Sequence, residues 1–196
     1  MRKALSLIAG LAGLYLFGHG AYMGTKAELS QILLERAWSK IDTTQAATAT
    51  PWPWLDARVI GRISVPRLNK SSIILDTDSG QALAFGPTLI AQTARPNETG
   101  TIGIAAHKNT HFSFLKDLEI GDRISLQHSA GAQDYIIRNA AIIDSRESGL
   151  VIDESVHELA LVTCYPFGSV SFNGPLRYIV YGEAVDMKPQ DGVTKT

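Results

Sequence analysis

The stretch Leu159-Ala160-Leu161-Val162-Thr163-Cys164-Tyr165-Pro166-Phe167 carries the only cysteine of this 196-residue chain. Its first six residues are almost continuously apolar and β-compatible, which argues for a buried strand. Pro166 cannot donate to a further ladder, so the strand must end beside it. Cys164 is therefore expected at a strand's exit, near a barrel rim or a cleft. A lone thiol closes no intramolecular disulfide, which leaves two roles, a buried small hydrophobe or a nucleophile.

The neighbours of this stretch favour the nucleophile. After the turn signal Asn173-Gly174-Pro175 comes a second apolar strand, Leu176-Arg177-Tyr178-Ile179-Val180-Tyr181. A strand, a connection and a strand can bring the Arg177 guanidinium back beside the thiol. Upstream, Thr101-Ile102-Gly103-Ile104-Ala105-Ala106 is another strand-like run that ends on His107. Three strands thus end on or carry a Cys, a His and an Arg. A free thiol, with a pKa near about 8.5, is largely protonated at neutral pH, and an adjacent imidazole and a cation raise its reactive fraction.

With these residues in place the chain resembles the sortases, a family of membrane-anchored cysteine transpeptidases. Leu161-Val162-Thr163-Cys164 is similar to the family's T-L-x-T-C-like nucleophile segment, with Ala160 in place of its first Thr. Ala106-His107 is similar to the family's histidine site, with Ala106 where many sortases have Gly, and Arg177 matches the family's arginine. Thr163-Cys164-Tyr165-Pro166-Phe167, followed by Asn173-Gly174-Pro175-Leu176-Arg177-Tyr178, most resembles the Gram-negative class, also called marine proteobacterial or class GN. The likeness covers residues 58 to 185 and the amino-terminal anchor.

The resemblance implies a mainly β fold, an eight-stranded closed barrel. It implies Cys164 as nucleophile, His107 as general acid and base, and Arg177 as the group that stabilises the oxyanion or orients the substrate. The implied substrate is an exported protein with a C-terminal LPXTG-like sorting signal, a hydrophobic segment and a basic tail. Cleavage passes through a Cys thioester, and an amine of unknown identity takes the acyl group. Residence in the inner membrane and a similarly anchored partner are implied as well, with the catalytic domain on the periplasmic side.

The residues themselves agree with one modest β domain. Short strand-like segments run from Arg58 to Val65, Ser72 to Asp76, Gly100 to Ala106, Asp122 to His128, Gln133 to Ile143, Glu158 to Cys164 and Leu176 to Val185. Helical turns are expected near Ala82 and over Phe112 to Leu118. Gly, Asp and Pro punctuate them, the pattern of an antiparallel barrel or sandwich. A formal net charge of -1 supplies no basic field for nucleic acid.

The amino terminus reads as a membrane anchor. Arg2 and Lys3 precede a run from Ala4 to Met23 whose only strongly polar side chain is His19, enough to cross one hydrocarbon thickness of about 30 Å as a helix. Positive charge before the run places the amino terminus in the cytoplasm and the body outside. A cleaved signal peptide competes, since Gly18-His19-Gly20-Ala21 offers small residues near a possible cut. From Lys26 to Trp38, Leu29, Ile32, Leu33 and Arg36 recur at helical spacing, a stalk with a packing or membrane-surface stripe. Asp42 to Pro51 loses periodicity and reads as a linker, and Trp52 and Trp54 among prolines suit a bilayer interface or domain packing. The expected organisation is an anchor over 1–24, a juxtamembrane helix and linker over 25–57, a catalytic barrel over 58–187 and a tail over 188–196.

No cofactor is expected. His107 and His111 have the spacing of a metal pair on a helix face, but Lys108 stands where the zinc-protease motif H-E-x-x-H needs its Glu base. The scattered carboxylates Asp76, Asp78, Asp117, Glu119, Asp144, Glu147, Asp153 and Glu154 form no calcium-loop pattern. His19, His128 and His157 have no catalytic context. Two other functions fit the same residues: a cysteine peptidase, in which water resolves the thioester, and a non-catalytic, membrane-tethered β domain that binds envelope proteins. An L,D-transpeptidase fits poorly, because no S-H-G segment precedes Cys164.

Overall fold

In the computed structural model of the chain the described residues are 29–185, apart from 42, 45, 78–79 and 170–173. The expected anchor and carboxy-terminal tail lie outside them, as does Asn173 of the turn signal. Among the described residues no helix is long and apolar enough to cross a membrane.

Eight strands close into a barrel: β1 (Arg58–Val65), β2 (Lys70–Asp76), β3 (Thr88–Leu89), β4 (Gly100–Ala105), β5 (Arg123–His128), β6 (Gly131–Asp144), β7 (His157–Cys164) and β8 (Leu176–Val185). Their order around the barrel is β1-β2-β3-β4-β7-β8-β6-β5. The mainly β, closed eight-stranded architecture expected above is thus the one observed. Seven strands carry readable apolar runs. The eighth, β3, is only two residues long and pairs Thr88 with Ala105 and Leu89 with Ile104.

Alternation fills the barrel. Ile63 and Val65 of β1, Ile102 and Ile104 of β4, Ile124 and Leu126 of β5, and Leu159 and Leu161 of β7 point inward, and all are essentially excluded from solvent. β1 changes phase between Val59 and Gly61, where the register to β2 shifts, so Val59 faces outward. Gly61 is required at that bulge, because a Cβ there would lie 2.6 Å from the Gln127 carbonyl oxygen. β4 and β7 run parallel, from Gly100 opposite His157 to Ala105 opposite Val162. Both strands are therefore nearly continuous in apolar residues, as parallel pairs covered on two faces are.

A second core lies outside the barrel. Helix α1 (residues 29–41) lays Leu34, Ala37, Trp38 and Ile41 on a bed formed by Val59, Ile73, Leu75, Trp52 and Ala82. Burying Leu34 or Ile41 there contributes on the order of 1.5–3 kcal/mol each. Arg62 of β1 pins the helix, pairing with Glu35 and lying 5.8 Å over the Trp38 ring.

Packing adds to two readings made from the sequence. The buried stripe is Ser30, Leu34, Ala37, Trp38 and Ile41, about a third of a turn from Leu29, Ile32, Leu33 and Arg36. Two adjacent apolar stripes share this helix, and periodicity does not decide between them. Packing does, because the bed on β1 and β2 accommodates Trp38. The linker residues are also tied down. Ala49 and Val59 exchange backbone hydrogen bonds of 3.2 and 2.8 Å, while Trp52 and Leu55 are buried.

Candidate active site

The parallel pairing of β4 and β7 determines which residues meet. Beyond its last rung the Ala106 N–H donates to the Val162 carbonyl at 3.2 Å. The Thr163 hydroxyl donates back to the Ala106 carbonyl at 2.7 Å. Leu159, Leu161 and Thr163 point into the barrel, so the alternate residues of β7, Cys164 included, face outward. His107 emerges next to it. His107 and Cys164 line one cleft of about 420 Å³ together with Lys108, Asn109 and Thr110.

His107 is held from behind. Its carbonyl accepts hydrogen bonds from the N–H groups of Thr110 and Phe112, at 3.3 and 3.1 Å. Phe112, Phe114 and Leu115 then anchor the far end of this turn in the barrel core. Residues 108–112 are a turn, followed by a short 3-10 helix over Ser113–Asp117. His107 and His111 therefore share no α-helical face, contrary to the spacing argument above. Among the described residues no three His, Cys, Asp or Glu side chains are grouped to hold a metal. His111 is half-buried, and its pKa is depressed by burial and, secondly, by the charge of His107.

Arg177 lies directly opposite Cys164 across β7 and β8. Residues so paired project from the same face. Its Nη1 donates to the carbonyls of Gly174 and Leu176, at 2.7 and 2.9 Å, which fixes the guanidinium at the end of the β7–β8 connection. Among the described residues, no hydrogen bond joins the side chains of Cys164, His107 and Arg177; all three stand at the same end of the β4–β7–β8 surface.

Two supporting features were not anticipated. Lys108 is only 5% exposed, and its Nζ donates to the Pro166 carbonyl at 2.9 Å, tying the turn after β4 to the turn after β7. Nothing local in Ala106-His107-Lys108 announces a buried lysine, because its burial depends on a loop 58 residues away. The second feature is an aromatic clamp. Phe167 meets Tyr178 edge-on at 5.4 Å, and Tyr165 stacks on Tyr178 at 6.3 Å, which steadies the chain after Cys164. The peptide bond between Tyr165 and Pro166 is cis.

Above β4 the outward side is apolar. A Cβ at Gly103 would lie 2.9 Å from both the Leu150 and Thr93 methyl groups and 3.1 Å from Ile90 Cδ1. Glycine there lets the β6–β7 connection fold down against the strand that leads to His107.

The sequence model of the sortase domain matches residues 63–185, more than half of the chain. Sortase D of Bacillus subtilis (strain 168) is 29% identical over 198 residues, covering 94% of this chain and all of that one. Sortase A of Bacillus anthracis is 29% identical over 157 residues, covering 76% of this chain and 71% of that one. Among solved structures, the Sortase D5 transpeptidase of Clostridium perfringens superposes with a TM-score of 0.65 at 19% identity, covering 81% of this chain and 99% of that one. Sortase A of Corynebacterium diphtheriae, a lid mutant, gives 0.61 at 21% identity, with 84% and 97% covered. The barrel is the one these structures share, and by the domain match the chain belongs to the sortase family of cysteine transpeptidases.

Proposed function

We propose that this sortase is anchored by residues 4–23 in the inner membrane and cleaves the LPXTG-like C-terminal sorting signal of exported proteins, with Cys164, His107 and Arg177 as its catalytic groups. The observation that carries the proposal is the facing of Cys164 and Arg177 across β7 and β8 with His107 on the same cleft.

The Cys164 thiolate attacks the scissile carbonyl carbon and forms a C–S bond. The carbonyl π electrons move onto oxygen. With Nη1 held by loop carbonyls, the remaining guanidinium donors of Arg177 take that oxyanion. His107, as imidazolium, gives its proton to the leaving nitrogen as the C–N bond breaks, leaving a thioester and a free amine. The incoming amine loses its proton to neutral His107 and attacks the thioester carbon. The C–S bond then breaks, and a new amide and the Cys164 thiolate result. Water in place of the amine gives hydrolysis. The apolar covering of β4 by Ile90 and Leu150 supports recognition of a signal containing Leu and Pro.

The narrower assignment to the Gram-negative class is supported by the sequence of Thr163 to Phe167 and of Asn173 to Tyr178. The anchor is supported by Arg2 and Lys3 ahead of an apolar run whose only strongly polar side chain is His19.

The test is product analysis. Full-length protein is incubated with LPXTG-like peptides, with and without an added primary amine, and both peptide and intact protein are weighed by mass spectrometry. A thioester adduct on Cys164 and an amine-dependent ligated product are expected, both lost in Cys164→Ala. Turnover that persists in Cys164→Ala, or no adduct with any such peptide, would contradict the proposal.

A further inference from the structure

We propose that the exposed side of α1 and the adjoining turn at Trp54 form a surface that seats on the lipid bilayer; this rests on the anchoring of residues 4–23 proposed above. Trp54 is 83% exposed, Leu29 52% and Ile32 49%. Leu29, Leu33, Trp52, Trp54, Leu55 and Phe85 line one apolar groove between the start of α1 and the segments before β1 and after β2. Exposed apolar surface of this kind, gathered on one side of a domain, marks a contact.

The length of chain that precedes the groove identifies its occupant. The apolar run ends at Met23, and Leu29 is six residues on. Six residues span at most about 20 Å even when fully extended. A groove that opens beside Leu29 is thus held within that distance of the point where the chain leaves the hydrocarbon. Composition agrees with an interface rather than a protein partner. Tryptophan is favoured at the headgroup level of bilayers. Along α1 the stripe Leu29, Ile32 and Leu33 continues into Arg36 and Lys40, both exposed, which places cations where anionic headgroups lie.

Docking orients the enzyme. α1 covers the outer face of β1 and β2, while Cys164 and Arg177 belong to β7 and β8. Two strands separate these pairs on either path around the barrel, so the catalytic strands are opposite the docked side. The bilayer contact turns the cleft away from the lipid, toward whatever brings the amine.

The test uses the full chain reconstituted in vesicles of phosphatidylcholine and phosphatidylglycerol, some carrying bromine on the acyl chains just below the headgroups. Flotation reports anchoring, and tryptophan quenching reports docking. Flotation, with quenching that is lost in Trp54→Phe and weakened in Leu29→Ser/Ile32→Ser, is expected. Flotation with Trp54 as open to aqueous acrylamide as it is in detergent, and untouched by bromine, overturns the docking while leaving the anchor intact. Failure to float overturns both.

Discussion

Cys164 and Arg177 are partners at the last paired rung of β7 and β8, and the chain closes behind them with a 3.0 Å hydrogen bond from Tyr165 N–H to the Leu176 carbonyl. Directly opposed residues hold their Cβ atoms about 4.5–5.5 Å apart. A guanidinium on one and a thiol on the other can therefore flank a single carbonyl group. Because the rung belongs to the barrel ladder, the pair is positioned by backbone rather than by flexible side chains.

That geometry makes a prediction about the fork of Arg177. Lysine keeps the charge but supplies no planar set of donors, and it cannot hold the Gly174 and Leu176 carbonyls while serving a substrate. Arg177→Ala and Arg177→Lys should each lower the rate of thioester formation by about 10²-fold or more, with the circular dichroism of the barrel unchanged. A lysine variant with the activity of the parent would show that charge alone suffices.

His111 should govern stability in acid more than chemistry. Burial, followed by the charge of His107, lowers its pKa from 6.5. Between that lowered value and 6.5 the unfolded chain holds more protons than the folded one. The stability is therefore fully present above 6.5 and is lost as pH falls through the folded value. Denaturant midpoints at pH 8 and pH 5 should differ less in His111→Gln than in the parent. An unchanged difference would mean that the imidazole is not desolvated.

Asp144 gives an independent check near the same rim. The Arg146 guanidinium binds it through Nη2 at 2.6 Å and Nε at 3.0 Å, the Arg146 N–H adds a third bond, and the charge of Arg177 contributes last. Together they lower its pKa from 3.8 to about 2. The stability linked to this carboxylate is present above 3.8 and is lost as pH falls toward 2. In Arg146→Ala a carboxyl NMR titration of Asp144 should move up toward the ordinary value, and no movement would contradict the pairing.

Two truncations probe the supports. Lys108→Met leaves the Pro166 carbonyl without its donor and should cost about 1–3 kcal/mol in urea unfolding. Ile41→Ala, at the centre of the contact between α1 and the barrel, should cost about 2–5 kcal/mol. Values near zero for Ile41→Ala would mean that α1 is not part of the folded unit.

The sequence disclosed most strands because their apolar runs and Gly or Pro boundaries are local. β3 escaped it, since two residues carry no period. The order of strands was not legible from pattern either; the parallel contact of β4 with β7 joins segments 57 residues apart. That contact is what brings His107 to Cys164, so His107 was singled out by resemblance and by its place at a strand end. Arg177 was easier to foresee, because one connection separates its strand from Cys164. Lys108 was seen only as the residue that spoils a zinc motif. Its contact with Pro166 is a property of two loops together. The face of α1 that packs on the barrel was not legible for a similar reason: the bed for Trp38 is made by β1 and β2, which periodicity within the helix cannot reveal.

The central claim is that Cys164 is activated by His107. The most direct test is the rate of Cys164 alkylation as a function of pH in the full chain, compared with His107→Ala, His111→Ala and Arg177→Ala. A fast reaction is predicted, with a profile that changes in His107→Ala and barely moves in His111→Ala. Uniformly slow alkylation in all four folded proteins would contradict it and mark Cys164 as an inert structural thiol.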